Sequence, residues 1–173
     1  VREEPRFTTV ETLALEERLL QAVREQKGTL AHRVSETARA AALSAYPTLS
    51  PEQKLALHQV TSGTDSITCL FGMAGTGKSH LLAAAKRTWE VDGYQVLGAA
   101  LSGKAAQNLE AASGIPCQTL HSLIAALDTQ EKKLEKDSVI VLDEAGMVGT
   151  RQMAVLVEAT RAAGAKLVLV GDW

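Results

Sequence analysis

Residues 72–79 read Gly-Met-Ala-Gly-Thr-Gly-Lys-Ser, a glycine-rich loop closed by a lysine and a hydroxyl. This is the spacing GxxxxGK[ST], and it suits one kind of chemistry. Gly72, Gly75 and Gly77 permit torsions that other residues resist, so consecutive N–H groups can turn inward as a cup for phosphate oxygens. Lys78 then reaches the β and γ phosphates, and the Ser79 hydroxyl is placed for Mg2+. The motif needs a strand before it and a helix after it, because the helix N-terminus adds partial positive charge beneath the phosphates. The apolar run Ile67–Phe71 and the helical stretch 78–91 supply that context.

Two carboxylates complete the set. The run Val139-Ile-Val-Leu-Asp143-Glu144 predicts a buried strand that ends in adjacent acids. Neighbours on a strand point to opposite sides, so the two should take different tasks. Asp143 suits the water shell of Mg2+, and Glu144 suits orienting or deprotonating an attacking water. Phosphate transfer to a small molecule has no use for such a glutamate, so Glu144 favours hydrolysis over a kinase. Gln53, in Ser50-Pro51-Glu52-Gln53, has two readings. Its amide could meet an adenine edge by donating and accepting, or it could be the N3 partner of a Ser50 capping box. Both hold only in different states.

The elements that must position these residues follow from pattern. From residue 66 onward, short apolar runs (Ile67–Phe71, 95–99, 139–142 and 167–170) alternate with helix candidates near 78–91, 103–112, 119–127 and 150–163. Uninterrupted apolar strands between helices imply a parallel sheet covered on both faces, an α/β fold. Residues 131–136 are a charged surface loop. The first third reads as helical. Thr8 to Glu11 fits a capping box, with Phe7 just outside it. Leu15, Leu19 and Val23 then recur at four-residue spacing, and Gly28 is a stop. A second helix runs through Val34, Ala38 and Ala41 to Tyr46-Pro47, and Ser50 opens a third that ends at 61–63.

Composition narrows the classes. The 173 residues are 46% hydrophobic and 22% charged, which excludes a wholly disordered or fibrous chain. The formal charge of −2 leaves any nucleic-acid contact to local patches. Aromatics at 3% exclude a sheet that stacks bases on aromatic rings. No apolar stretch is long enough to span a membrane, and no signal-peptide pattern opens the chain, so a cytoplasmic protein without membrane contact is expected. The four histidines share no metal-ligand spacing. Cys69 and Cys117 read as buried free thiols of a reducing compartment.

These residues together resemble superfamily I helicases, and more narrowly the motor of conjugative relaxase-helicases of the MobF class, TraA-like. GMAGTGKS resembles that family's first helicase motif and DEAGM (143–147) its second. Leu49 to Gln53 resembles the adenine-recognising segment, which tips Gln53 toward adenine. GAALSGKAAQNLE (98–110) looks like motif Ia, TLHSL (119–123) like the segment after it, and AKLVLVGDW (165–173) like the start of motif III. FTTVETLALEERLL (7–20) resembles the family's helical lead-in.

The resemblance implies a RecA-like P-loop NTPase fold, with a helical lead-in over 1–48 and a first motor domain over 49–173. It implies an ATP- and Mg2+-dependent translocase that runs 5′ to 3′ on single-stranded DNA in plasmid transfer. The implied nucleotide set is Gln53, Gly72, Ala74, Gly75, Thr76, Gly77, Lys78, Ser79 and His80, with Ser79 and Asp143 toward the metal and Lys78 and Glu144 catalytic. Ser102, Lys104, Thr119 and His121 fall in segments that touch the DNA backbone. Three of them also have a plainer reading: helix cap for Ser102, surface charge for Lys104, packing for His121.

The family's third motif continues to a γ-phosphate-sensing Gln, whereas this sequence stops at Trp173. The second motor domain with its arginine finger, and the nicking domain with its tyrosine, have no room in 173 residues. An excised piece is therefore expected. It should bind nucleotide with little turnover, and the edge of its P-loop strand should lie open. A RecD-like repair helicase, a stand-alone P-loop ATPase or kinase, and a docking module are the competing expectations. Oligomeric state has no signature in the sequence.

Overall fold

The computed structural model describes residues 8–28, 32–73 and 75–172. Ala74, Trp173 and Phe7 lie outside the described residues. Five parallel strands form one sheet: β1 (Ile67–Phe71), β2 (Gln95–Ala100), β3 (Cys117–Thr119), β4 (Ser138–Leu142) and β5 (Lys166–Gly171), in the order β1-β5-β4-β2-β3. Seven α-helices are described: α1 (Val10–Glu25), α2 (Glu36–Ala45), α3 (Pro51–Ser62), α4 (Lys78–Val91), α5 (Gly103–Ser113), α6 (Leu120–Asp128) and α7 (Thr150–Ala163).

Period-two alternation on the central strands builds two cores. Val139, Val141, Val168 and Val170 point to one face, where they meet Leu57 and Val60 of α3, Leu81, Leu82 and Trp89 of α4, and Leu109 of α5. Ile140, Leu142 and Leu167 point to the other, against Leu120 and Leu123 of α6 and Leu156 and Val157 of α7. All five residues of β4 are buried, which is why it reads as an unbroken apolar run. Helix α1 buries no residue fully. Its Leu19, Ala22 and Val23 lie against the second core, beside α7. Helix α2 packs on α4 and α3.

Several expectations shift. The N-cap of α1 is Thr9, whose hydroxyl accepts from Thr12 N at 3.2 Å, so the box starting at Thr8 does not form. The helix ends at Glu25, before Gly28. Strand β3 and a 3-10 turn over Ala145–Met147 were not expected. The buried-thiol reading fails for Cys69, which is exposed on β1, and Cys117 is only half-buried. Strand β1 is a sheet edge, and Cys69 and Phe71 are exposed on it and belong to neither core. Cys117 explains Gly98 opposite it: a Cβ on Gly98 would come within 2.1 Å of Cys117 Sγ.

At the N-terminal end of the strands, two basic groups are buried. Lys166 donates to Asp65 O at 3.0 Å and Thr68 Oγ1 at 3.2 Å, and burial lowers its pKa to about 8. His32 is 2% exposed, and neither ring nitrogen has a hydrogen-bond partner. Burial, with the charge of Lys166 added, lowers its pKa from 6.5 to about 4. The unfolded chain thus takes up a proton near pH 6.5 that the folded chain refuses until near pH 4. Stability should fall as pH drops through that window, by about 3 kcal/mol in total at ~1.4 kcal/mol per unit. Urea unfolding at pH 7 and pH 4.5 checks this: a His32→Leu protein should show a shallower acid loss, and parallel losses would contradict the assignment.

Candidate functional site

Because all five strands run parallel, their C-terminal ends share one edge of the sheet. The loop after β1 is the glycine-rich one, Asp143 and Glu144 follow β4, and Asp172 follows β5, which lies between the two. Ser102 and Lys104 follow β2, and Thr119 and His121 stand at the end of β3 and the start of α6.

The glycine-rich loop obtains its shape by two means. Gly75 (φ 79°) and Gly77 (φ 78°) are left-handed, as expected for a loop that turns its amides inward. Gly72 is not. It is there for space, since a Cβ would come within 2.9 Å of Thr76 Oγ1. Gly77 is the N-cap of α4 and offers no side-chain cap. By contrast α1, α2, α3, α5 and α6 are capped by Thr9, Ser35, Ser50, Ser102 and Thr119, and among the described helices only α7 shares the lack. The first intrahelical bond of α4 runs from Leu81 N to Gly77 O at 3.1 Å. The N–H groups of Lys78, Ser79 and His80 therefore stand ready for an external acceptor, and the helix dipole favours an anion there.

Lys78 lies back over the loop. Its ammonium donates to Gly72 O at 2.8 Å, Met73 O at 3.1 Å and Asp172 Oδ1 at 2.5 Å. Gln53 serves the capping box and the loop at once. Its Oε1 accepts from Ser50 N at 2.9 Å, while its Nε2 donates to Thr76 O at 3.0 Å and Gly77 O at 3.4 Å. In this state both N–H donors of the amide are committed, so the capping-box reading holds here and an adenine contact that needs a donor requires an exchange of partners. The side chain of His80 is held by Thr48 Oγ1 at 2.9 Å from Nε2 and by the edge of Tyr46. What His80 can give a phosphate is its backbone N–H. An open cleft of about 190 Å³ borders the loop, lined by Gln53, Ala56, Leu70, Gly77, Lys78 and Leu81 among others.

The geometry at Asp143 and Glu144 differs from the one expected. Strand β4 ends at Leu142, so strand alternation does not separate them. Glu144 instead takes a left-handed conformation (φ 52°, ψ 36°), rare for a residue with a Cβ. Its N–H donates to Asp143 Oδ1 at 3.0 Å, and Asp143 N donates to Ala99 O at 2.9 Å. One Asp143 oxygen is thereby engaged by the turn itself.

Of the residues expected at DNA, Ser102 and Thr119 are helix caps, accepting from Ala105 N and Ser122 N at 3.1 Å each. Lys104 and His121 are exposed, so the packed reading of His121 does not hold. The sequence reading missed Asp172 as a partner of Lys78. Its one signal was the acid directly after the apolar run of β5.

The AAA domain family matches residues 48–173, well over half of the chain. The chain belongs to the AAA domain family. Its α/β fold is thereby confirmed, and nucleotide binding goes with membership. Over 172 residues the chain is 42% identical to a probable conjugal transfer protein TraA of Sinorhizobium fredii, covering 99% of this chain and 16% of that protein. Conjugal transfer proteins TraA of Agrobacterium fabrum and Rhizobium radiobacter are each 43% identical, over 82% and 80% of this chain and 13% and 12% of their own lengths. The TraA-like likeness carried by the motifs is borne out. The chain spans less than a fifth of these relatives. No described helix is long and apolar enough to cross a membrane.

Proposed function

We propose that the chain is the nucleotide-binding part of an ATP-driven motor that moves 5′ to 3′ on single-stranded DNA in conjugative transfer. Residues 1–48 are its lead-in and 49–173 its first motor domain, with a second motor domain and a nicking domain as partners in cis. One observation carries the reading: the uncapped start of α4 and the Asp143–Glu144 turn lie on one sheet edge, two strand spacings apart. Two spacings are about 10 Å, room for a triphosphate tail and a metal ion between them.

The donor set fits both groups. Three free N–H groups and an ammonium suit phosphate oxygens, and a hydroxyl with a carboxylate oxygen suits Mg2+. When bound, Mg2+ supplies charge neutralisation on the phosphates. Lys78 binds the β and γ phosphates, Ser79 and Asp143 hold the metal and its water, and Glu144 takes the proton of the attacking water. Ala56, Leu70 and Leu81 offer the apolar side of a base site beside Gln53. Ser102, Lys104, Thr119 and His121 line the β2–β3 end of the same edge, where hydroxyls and a cation suit a phosphate backbone. Conjugal transfer in the relatives' names supports the biological setting.

The test combines two titrations. A fluorescent ATP analogue should bind saturably, need Mg2+ and be displaced by ADP. In the longer polypeptide, hydrolysis should be stimulated by single-stranded DNA, and Lys104→Ala should weaken that DNA contact and lower its salt slope by about one. Absence of saturable binding would remove the motor reading.

A further inference from the structure

We infer that Asp172 is the resident counter-ion of Lys78 and must be displaced when a triphosphate enters, so that the end of β5 reports whether the cradle is filled. The inference rests on the nucleotide reading of the same site and adds a residue to it. A lysine ammonium has three protons. In this structure all three are committed: to Gly72 O, Met73 O and Asp172 Oδ1. Lys78 therefore cannot meet phosphate without losing a partner. Two of the three are neutral carbonyls of the cradle itself. The third is a carboxylate, 58% exposed, which would stand against the incoming phosphate as a like charge on the same ammonium. Asp172 is thus the partner that leaves.

Its departure has a mechanical path. Phe71 and Gly171 pair at the last step of the β1–β5 ladder, and Gly72 N donates to Gly171 O at 3.3 Å, carrying the ladder one residue further. Asp172 follows directly on Gly171. A shift of its carboxylate therefore acts on the backbone that ties β5 to the phosphate loop. The filled and empty cradles then differ in where the chain leaves β5.

The experiment compares the wild-type protein with Asp172→Asn and Asp172→Ala. Because Asp172 is exposed and outside both cores, these variants should fold normally by circular dichroism. Without nucleotide, trace acylation read by peptide mass spectrometry should find Lys78 protected in the wild type and more reactive in both variants. With a non-hydrolysable ATP analogue, both variants should bind about two- to fivefold tighter, the size of a partly exposed ion pair. Unchanged Lys78 reactivity, or variants that bind the analogue equally or more weakly than a wild type that does bind it, overturns the role of Asp172 alone. A wild type that binds no triphosphate overturns the nucleotide reading, and the displacement with it.

Discussion

A Lys78→Ala protein is expected to keep its fold and to bind ATP about 10²- to 10³-fold more weakly. The lysine is the first residue of α4 and contributes nothing to either core. Its removal leaves Asp172 exposed to water, so the stability change should stay within ~1 kcal/mol, the size of a partly exposed pair. Binding is another matter. Lys78 is the side-chain cation at the cradle, and truncating one partner of a desolvated, hydrogen-bonded charge pair costs about 2–5 kcal/mol. The N–H groups of Lys78, Ser79 and His80 survive the change, so residual binding should persist at high nucleotide concentration. Fluorescent-ATP titration beside a thermal melt separates the two effects. Equal affinity with an intact fold would mean that Lys78 does not meet the phosphates.

Much of the fold was legible because its strands are covered on both sides. A strand such as β4, with every residue buried, leaves an apolar run that needs no context. The helices of the sheet region were legible from their alternation with those runs. What escaped was short or ambiguous. β3 has three residues with Gln118 in the middle, too few to show a period. Thr8 and Thr9 both suit an N-cap, and only the hydrogen bond to Thr12 decides. Cys69 belongs to an apolar run that reads as core, yet its exposure depends on β1 lying at the sheet's edge, which no local pattern encodes.

The site divides the same way. The phosphate loop and the acid pair are local motifs, visible because their chemistry fixes residue types at fixed spacing. Relations across the sheet are not. The pairing of Lys78 with Asp172 joins residues 94 positions apart and needs β5 beside β1. By sequence the amide of Gln53 suits a cap and a base contact alike. Its actual second partner, the carbonyls of Thr76 and Gly77, is a neighbour that only the packing of α3 against the loop supplies. Gly72 fits the motif as a torsional glycine but serves by clearance, a distinction that rests on where Thr76 and Lys78 fold back.

Glu144→Gln should leave nucleotide affinity nearly unchanged and slow hydrolysis by about 10²- to 10⁴-fold, the range for losing a general base. The backbone carries the argument. Left-handed torsions at a residue with a Cβ cost ~1–2 kcal/mol, and the Glu144 side chain is itself exposed and belongs to neither core. In that conformation its N–H holds one oxygen of Asp143, while its own carboxylate is exposed, so the two acids are held differently and suit different tasks. Glutamine keeps the shape and the torsions but cannot accept the proton. Asp143→Asn should behave differently, losing Mg2+-dependent binding as well as rate. Single-turnover hydrolysis beside analogue binding distinguishes them. Should Glu144→Gln lower affinity and rate in equal proportion, the glutamate would be a binding group, and the strained turn would need another explanation.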